Sequence, residues 1–594
     1  MTALRHLQLG LLAVVLSTGV AADDGATRAF ERLVGDYEAW QLEENPIEAG
    51  RRGDLEALAR WPDPTPAAVD RRRTRERGFL ERLRAIDPDA LDAADRTSHT
   101  VLDYLLAADV ALAAFDPERV PFVNDSGFFT TPLYVAASTR PATLEQAEAW
   151  LARLDALPAW LAAHVDWLRK GVEDGFVQPA QVVEAVLVQL DTIAGAQPTE
   201  SPLFAPIEAL PAHLKAEHGD RLRAEAQARI EEKVLPAYAA VARFFREEYL
   251  AEPRESIGIS EVPDGRAYYR ALVRRHTTLD TTPEAVHAQG LAEVQRIRAE
   301  MEAIVDELGF EGTFAEFLDF LRTDPRFYAE TPEELLMRAA WIAKRADDRM
   351  PEFFGRLPRL PYGVRPVPDH LAPTYTTGRY WPGDLDNGVA GGYMVNTYAL
   401  DQRPLYVLPA LTLHEAVPGH HHQNALSQEL EDVPEFRRNT YITAFGEGWG
   451  LYTEFLGIDM GIYTTPYEHF GRLTYEMWRA CRLVVDTGMH YFGWTREQAE
   501  ACLLENSALA PHNVRTEVTR YIAWPGQALA YKTGEILIRD LRQRAEERLG
   551  DAFDIRAFHD HLLGQGAMPL DALEERMERW IEARADGPAS AASD

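Results

Sequence analysis

Leu413-His414-Glu415-Ala416-Val417-Pro418-Gly419-His420-His421-His422 is the stretch on which the reading of the whole chain turns. Imidazole nitrogens and carboxylate oxygens are ligands that zinc accepts. A glutamate beside a ligand histidine is where a metallohydrolase keeps its general base. The zincin pattern H-E-x-x-H sets two histidines one helical turn apart, so that both reach one metal. Here the fourth residue after His414 is Pro418, so the strict pattern fails. With Pro418 and Gly419 set aside, His414-Glu415-Ala416-Val417-His420 restores it. On an unbroken helix the sixth residue after His414 points away from it, and the seventh lies about 10.5 Å along the axis. Proline, however, removes a backbone donor and clashes with the preceding turn, and glycine tolerates the dihedrals that follow. A Pro-Gly bulge is therefore expected to fold outward and bring His420 back beside His414. His421 is the rival for that position.

A third ligand belongs further on. Thr443 to Glu454 reads T-A-F-G-E-G-W-G-L-Y-T-E. Glu447, between two glycines, can approach a metal without crowding, and Glu454 lies on the same face two turns later. Two histidines and one glutamate, with a position left for water, make a catalytic zinc set rather than a structural one. The bland alternative is a histidine cluster that binds metal adventitiously. The acidic helix following at a suitable distance argues against it.

Two more segments complete the pattern: R-L-V-V-D-T-G-M-H from Arg482, and Y-I-A-W-P-G-Q-A-L-A-Y-K-T-G from Tyr521. The four motifs in this order resemble the DUF885 proteins, a bacterial family of unknown function grouped with gluzincin-like metallopeptidases. The likeness runs over nearly the whole mature chain, and it is the combination that is specific. The G-E-G-W-G-L-Y segment is similar to the N-E-G-F-A segment of gluzincin aminopeptidases, whose glutamate binds zinc; this favours Glu447 over Glu454. Dipeptidyl peptidase III carries a one-residue insertion in its own histidine motif, where this chain would carry two. The resemblance implies a Zn2+ cofactor held by His414, His420 and Glu447, with Glu415 as general base. It also implies a tyrosine or histidine donor for the oxyanion, for which Tyr531 is the first choice and Tyr521 the second. His421 completes the candidate catalytic set. Arg520 can grip a substrate carboxylate with a fork that lysine lacks.

Hydrophobic content of 46% with 26% charged residues is ordinary for a globular protein. A chain of 594 residues calls for a large core and one or two lobes. The net charge of −33 disfavours nucleic acid and anionic lipid as partners. Residues 1–22 read as a signal peptide: Arg5 in the n-region, an apolar run from Leu7 to Leu16, and Val20-Ala21-Ala22 as a small-residue cleavage site. The run is too short to span a bilayer, and no cysteine stands at the cleavage site for a lipid anchor. A periplasmic or secreted protein without a membrane span is expected. Cys481 and Cys502 either pair in that compartment or remain free thiols.

Along the chain, residues 23–255 are helical in character. Trp150, Leu151, Leu154, Leu157, Trp160, Leu161 and Val165 form one apolar stripe. The segment from Val120 to Val135 breaks the pattern and either lines a cleft or packs as a loop. A boundary is expected near residue 255, with a metal-binding lobe over 256–583 and a disordered tail over 584–594. Thr281 with Glu284, or Thr282 with Pro283, starts a long helix, and Thr495 with Gln498 starts another. Between Leu357 and Pro409 the pattern turns strand-like. Gly391 to Tyr398 is the candidate edge strand for a substrate backbone, with Gly392, Tyr393 and Asn396 as binding residues; an internal hairpin is the alternative. Arg482, Asp486 and His490 fall four residues apart, as a shell around the metal or as a charge ladder.

The expected fold is thus mainly α, two helical lobes around a deep channel, with a small antiparallel β-sheet beside the metal-binding helix. The expected activity is zinc-dependent hydrolysis of short peptides. A metal-dependent amidase or esterase acting on a small amide or other non-peptide molecule is the second reading. A non-catalytic binding protein on a peptidase scaffold is the third, and an intact Glu415 argues against it.

Overall fold

The computed structural model describes residues 24–251, 253–369 and 371–586. The signal segment therefore lies outside the described residues, as does most of the predicted tail. The fold is mainly helical, with one three-stranded sheet. Among the described residues no helix is long and apolar enough to cross a membrane.

Local signals start and stop the helices. In α1 (Leu144–Asp174) the Thr143 side chain accepts from Gln146 N, and Gly175 ends the helix at φ 71°. The seven-residue apolar stripe is buried along its length, and each such side chain contributes about 1.5–3 kcal/mol on leaving water. For α2 (Pro283–Glu307) it is Thr282 that caps and Pro283 that occupies the first turn. The Thr495–Gln498 capping box is present. One continuous core runs from Trp61 to Ile581 and draws on both sides of residue 255. The last helix runs to Ala585, two residues into the expected tail.

The sheet corrects one expectation. β1 (Tyr362–Pro366), β2 (Gly378–Trp381) and β3 (Gly391–Val395) lie in the order β1-β3-β2. β2 pairs antiparallel to β3, but β1 pairs parallel to it, so the sheet is mixed. β3 is the central strand and is buried at every residue. A strand paired on both sides has no free N–H or C=O row to offer a peptide, so the substrate edge expected at Gly391–Tyr398 is not there. The unbroken small and apolar run G-G-Y-M-V accounts for burial on both faces of β3, whereas its pairing on both edges follows from β1.

The helices around the sheet are α3 (Leu408–Glu415), α4 (His420–Gln428), α5 (Thr443–Leu456), α6 (Pro466–His490), α7 (Pro511–Ala523) and α8 (Ala530–Leu549). α6 is the central post, buried continuously from Phe470 to His490. A helix buried on all sides must give each polar side chain a partner. Arg472 and Lys532 both pair with Glu476, at 2.6 and 2.8 Å. Arg482 donates to the Tyr521 hydroxyl and to Glu517. Asp486 accepts from the Tyr269 hydroxyl at 2.6 Å and from Gly526 N at 3.0 Å. His490 accepts from Ile259 N and meets Tyr521 O at 2.9 Å. Arg482, Asp486 and His490 are therefore neither a shell around the histidines nor a charge ladder; they tie α6 to α7 and to the Trp524–Gly526 turn. Cys481 and Cys502 are free, with sulfurs 3.4 Å apart.

Asp486 makes stability depend on pH. Burial pushes its carboxyl up to about 7, opposed by the bonds from Tyr269 and Gly526. A carboxyl raised above its unfolded value binds a proton more tightly in the folded state. Its stabilising share is thus present at low pH and is lost as pH rises from about 4 to about 7. Asp486→Asn removes that ionisation and keeps an acceptor for Tyr269. It is expected to raise the melting temperature at pH 8, by an effect on the order of a few kcal/mol, and to change it little at pH 4. Melting curves of both proteins at the two pH values check this.

Candidate metal centre

The bulge between His414 and His420 is real and has identifiable causes. α3 ends at Glu415, and Ala416 leaves the helix at φ −98°, ψ −120°. The Val417–Pro418 peptide is cis, and α4 begins at His420. Gly419 is obligatory because a Cβ there would lie 2.0 Å from His414 O. Trp449 Nε1 donates to Pro418 O at 2.8 Å, and His421 N donates to Ala416 O at 3.2 Å. The loop is thus pinned, and the His414 and His420 rings meet 4.7 Å apart at 89°.

α5 supplies the third group. Glu447 Oε2 lies 3.3 Å from His414 Nε2 and 3.4 Å from His420 Nε2. One ligand atom from each of the three residues falls within 4.8 Å of the others, with both histidines buried and Glu447 half-buried. The glycines of G-E-G-W-G have separate jobs. At Gly450 a Cβ would come 2.7 Å from His414 Cε1, so the imidazole packs directly on the α5 backbone.

Behind this cluster, Glu454 Oε1 meets His414 Nδ1 at 2.8 Å and pairs with Arg479 at 3.3 Å. A carboxylate on the far nitrogen of a ligand histidine orients the ring and raises its basicity. Burial opposes charge on His414, but Glu447 and Glu454 push it up to about 10. Glu447 is held well below the usual carboxylate range: burial opposes this, and the two imidazoles outweigh it. Two nitrogens and one oxygen converging from a buried base fit the donor set of a catalytic zinc ion. His414, His420 and Glu447 are the residues that would hold it.

Glu415 lies beside the cluster, 8% exposed, with Oε2 accepting from Tyr380 N at 2.7 Å. β2 is thus the strand next to the candidate base. Tyr531 is half-buried, and its hydroxyl lies 3.4 Å from Arg520 Nη2. Arg520 also reaches Glu517 and Gln527. Tyr441 is 49% exposed and donates to Glu447 Oε1 at 3.3 Å.

Other predicted residues are placed elsewhere. His421 turns away from the cluster, with Nε2 at Leu360 O and Nδ1 at the Tyr380 hydroxyl; burial lowers it to about 4. Tyr521 is 1% exposed; its hydroxyl accepts from Trp478 and Arg482 and gives its proton to Glu517, so it is no oxyanion donor. Gly392 and Tyr393 sit inside the central strand, the latter bonded to Thr412. Asn396 is fully buried and gives its amide to Ala372, Tyr375 and Thr376 carbonyls. These three shape the sheet and do not line a substrate path.

Sequence reasoning missed Arg479, Tyr441, Tyr380 and Gly450. Gly450 alone left a signal, in the repeated glycine spacing of α5. Tyr134, in the Val120–Val135 segment, is 65% exposed, while Phe122, Phe128 and Phe129 are core. An apolar cavity of about 360 Å³ lies between that segment, Phe176, Leu272 and Trp524, and it contains none of the predicted site residues.

The chain is 27% identical to the "putative lipoprotein" of Colwellia psychrerythraea, with a TM-score of 0.87 over 94% of this chain and 99% of that one. It shares its fold with a "putative lipoprotein of unknown function" from Shewanella oneidensis, at 18% identity and a TM-score of 0.69 over 92% and 99% of the two chains. No curated protein matches it. Residues 46–577 match the family described as bacterial proteins of unknown function, DUF885; the chain belongs to that family.

Proposed function

We propose that the protein is an exported, zinc-dependent hydrolase that cleaves peptide bonds in short peptides, in the manner of the gluzincin-like enzymes its motifs resemble. The observation that carries this reading is the convergence of His414, His420 and Glu447 within 4.8 Å, with a carboxylate of the same motif beside them. A zinc ion bound there would supply Lewis acidity toward a water molecule and a substrate carbonyl.

The chain's own groups then have distinct tasks. Tyr380 N–H holds Glu415 by Oε2, which leaves Oε1 to take a proton from the attacking water and pass it to the leaving amine nitrogen. The Tyr531 hydroxyl receives Arg520, so its own proton is available to a developing oxyanion. Glu454 and Arg479 keep the His414 ring in place. The targeting segment over residues 1–22 and the lipoprotein names of both structural relatives support export.

Short peptides are expected to be cut by purified mature protein, and folded or long unfolded proteins spared. Opening a folded substrate would cost about 5–15 kcal/mol. Mass spectrometry of a peptide library, with casein digested in parallel, checks both halves. Rapid cleavage of casein at many internal sites would overturn the size limit. Hydrolysis of small amides or esters in preference to peptides would move the activity to the second class.

A further inference from the structure

Arg379 stands on β2 one residue before Tyr380, and alternation along the strand sends it to the opposite face from the Tyr380 ring. Tyr380 is buried, while Arg379 and Trp381 are exposed. The Arg379 guanidinium lies 5.5 Å from the Tyr375 ring centre. Among the described residues it makes no hydrogen bond or ion pair. Its electrostatic neighbours are Tyr375, Tyr531, Glu415 and Arg520, and it acts in turn on Tyr134. Tyr380 N–H, one residue on, holds Glu415 Oε2 at 2.7 Å, so Arg379 stands beside the candidate base, in a recess it shares with Tyr375.

The two arginines of this recess differ. Arg520 is committed to Glu517, Gln527 and Tyr531. Arg379 has five N–H donors and none of them spent on protein. A guanidinium keeps its charge at any ordinary pH. An uncommitted guanidinium beside the Tyr375 ring fits a planar anion that accepts a forked pair of bonds. Glu415 stands close by and would repel a dianion such as a phosphate monoester more strongly, so a singly charged carboxylate is the better match.

We propose that Arg379 receives a substrate carboxylate, so that the preferred substrates are short peptides cleaved near a free C-terminus. The cleavage in this statement rests on the hydrolase reading above; the recess does not.

The test separates the two. A degenerate tripeptide pool with free C-termini and the same pool amidated are offered to the Glu415→Gln protein, and retained peptides are weighed by mass spectrometry. The free-acid pool is expected to be retained about tenfold or more over the amides, a difference of about 1.4 kcal/mol. Adding Arg379→Gln should erase the preference, and Arg379→Lys should restore part of it. An unchanged melting temperature and metal content in the Arg379 variants guard against misfolding. Equal retention of the two pools, retention of neither, or a preference that survives Arg379→Gln overturns the recess. If acids are preferred but the wild-type protein cleaves none of them, the recess stands and the hydrolase reading falls.

Discussion

Glu415→Gln is expected to leave zinc bound and to abolish nearly all peptide hydrolysis. The amide is the same size, and its oxygen can still accept the Tyr380 N–H that now holds Oε2 at 2.7 Å. What it cannot do is take a proton from water, and general-base catalysis of this kind contributes typically 10²–10⁴-fold. His414, the immediate neighbour, keeps its bond to Glu454, and Glu447 comes from another helix, so neither ligand is disturbed. Single-turnover rates on a cleaved peptide, with zinc measured on the same sample, give the answer. A loss smaller than about tenfold at full zinc occupancy would remove Glu415 from the role of base. A large loss accompanied by loss of zinc would show instead that the residue holds the cluster together.

Much of this site was legible in the sequence because it is built from local chemistry. The Pro-Gly pair announced a break, and the break sets His420, not His421, against His414. The choice between those two was open in sequence and closed by geometry: Gly419 packs so near that a Cβ on it would lie 2.0 Å from His414 O, and the helix that restarts after it presents position 420 inward. Glu447 was legible for a similar reason, since small neighbours leave it room. What failed were inferences about long-range pairing. Whether β3 is an edge or a centre depends on β1, placed beside it by a crossover that no pattern within Gly391–Val395 records. Tyr521 looked like a donor in a motif. Only the arrival of Trp478 and Arg482 from a distant helix shows its hydroxyl to be already used. A single arginine in a turn-rich stretch, such as Arg379, carries no signal until the strand's facing is known.

One zinc per chain is expected, and the order in which variants lose it distinguishes the three shells of the cluster. His420→Ala removes a donor whose Nε2 stands 3.4 Å from Glu447 Oε2; with two of three ligands left, stable binding should be lost. Glu454→Ala leaves all three ligands but frees the His414 ring from its 2.8 Å bond and leaves Arg479 unpaired. Groups of this kind typically cost 10–100-fold in metal affinity, so zinc should be retained at high concentration and stripped by a moderate chelator. His421→Ala should keep zinc at the wild-type level. Its ring faces Leu360 O and the Tyr380 hydroxyl, not the cluster. Removing it should lower thermal stability, since a buried hydrogen-bonded group is lost, without touching occupancy. Zinc content after dialysis against graded chelator, read beside the melting temperature of each variant, resolves these outcomes. Loss of zinc in His421→Ala with retention in His420→Ala would reverse the ligand assignment while leaving a metal centre in place. Retention in all three would mean that the histidines and Glu447 converge for a reason other than metal.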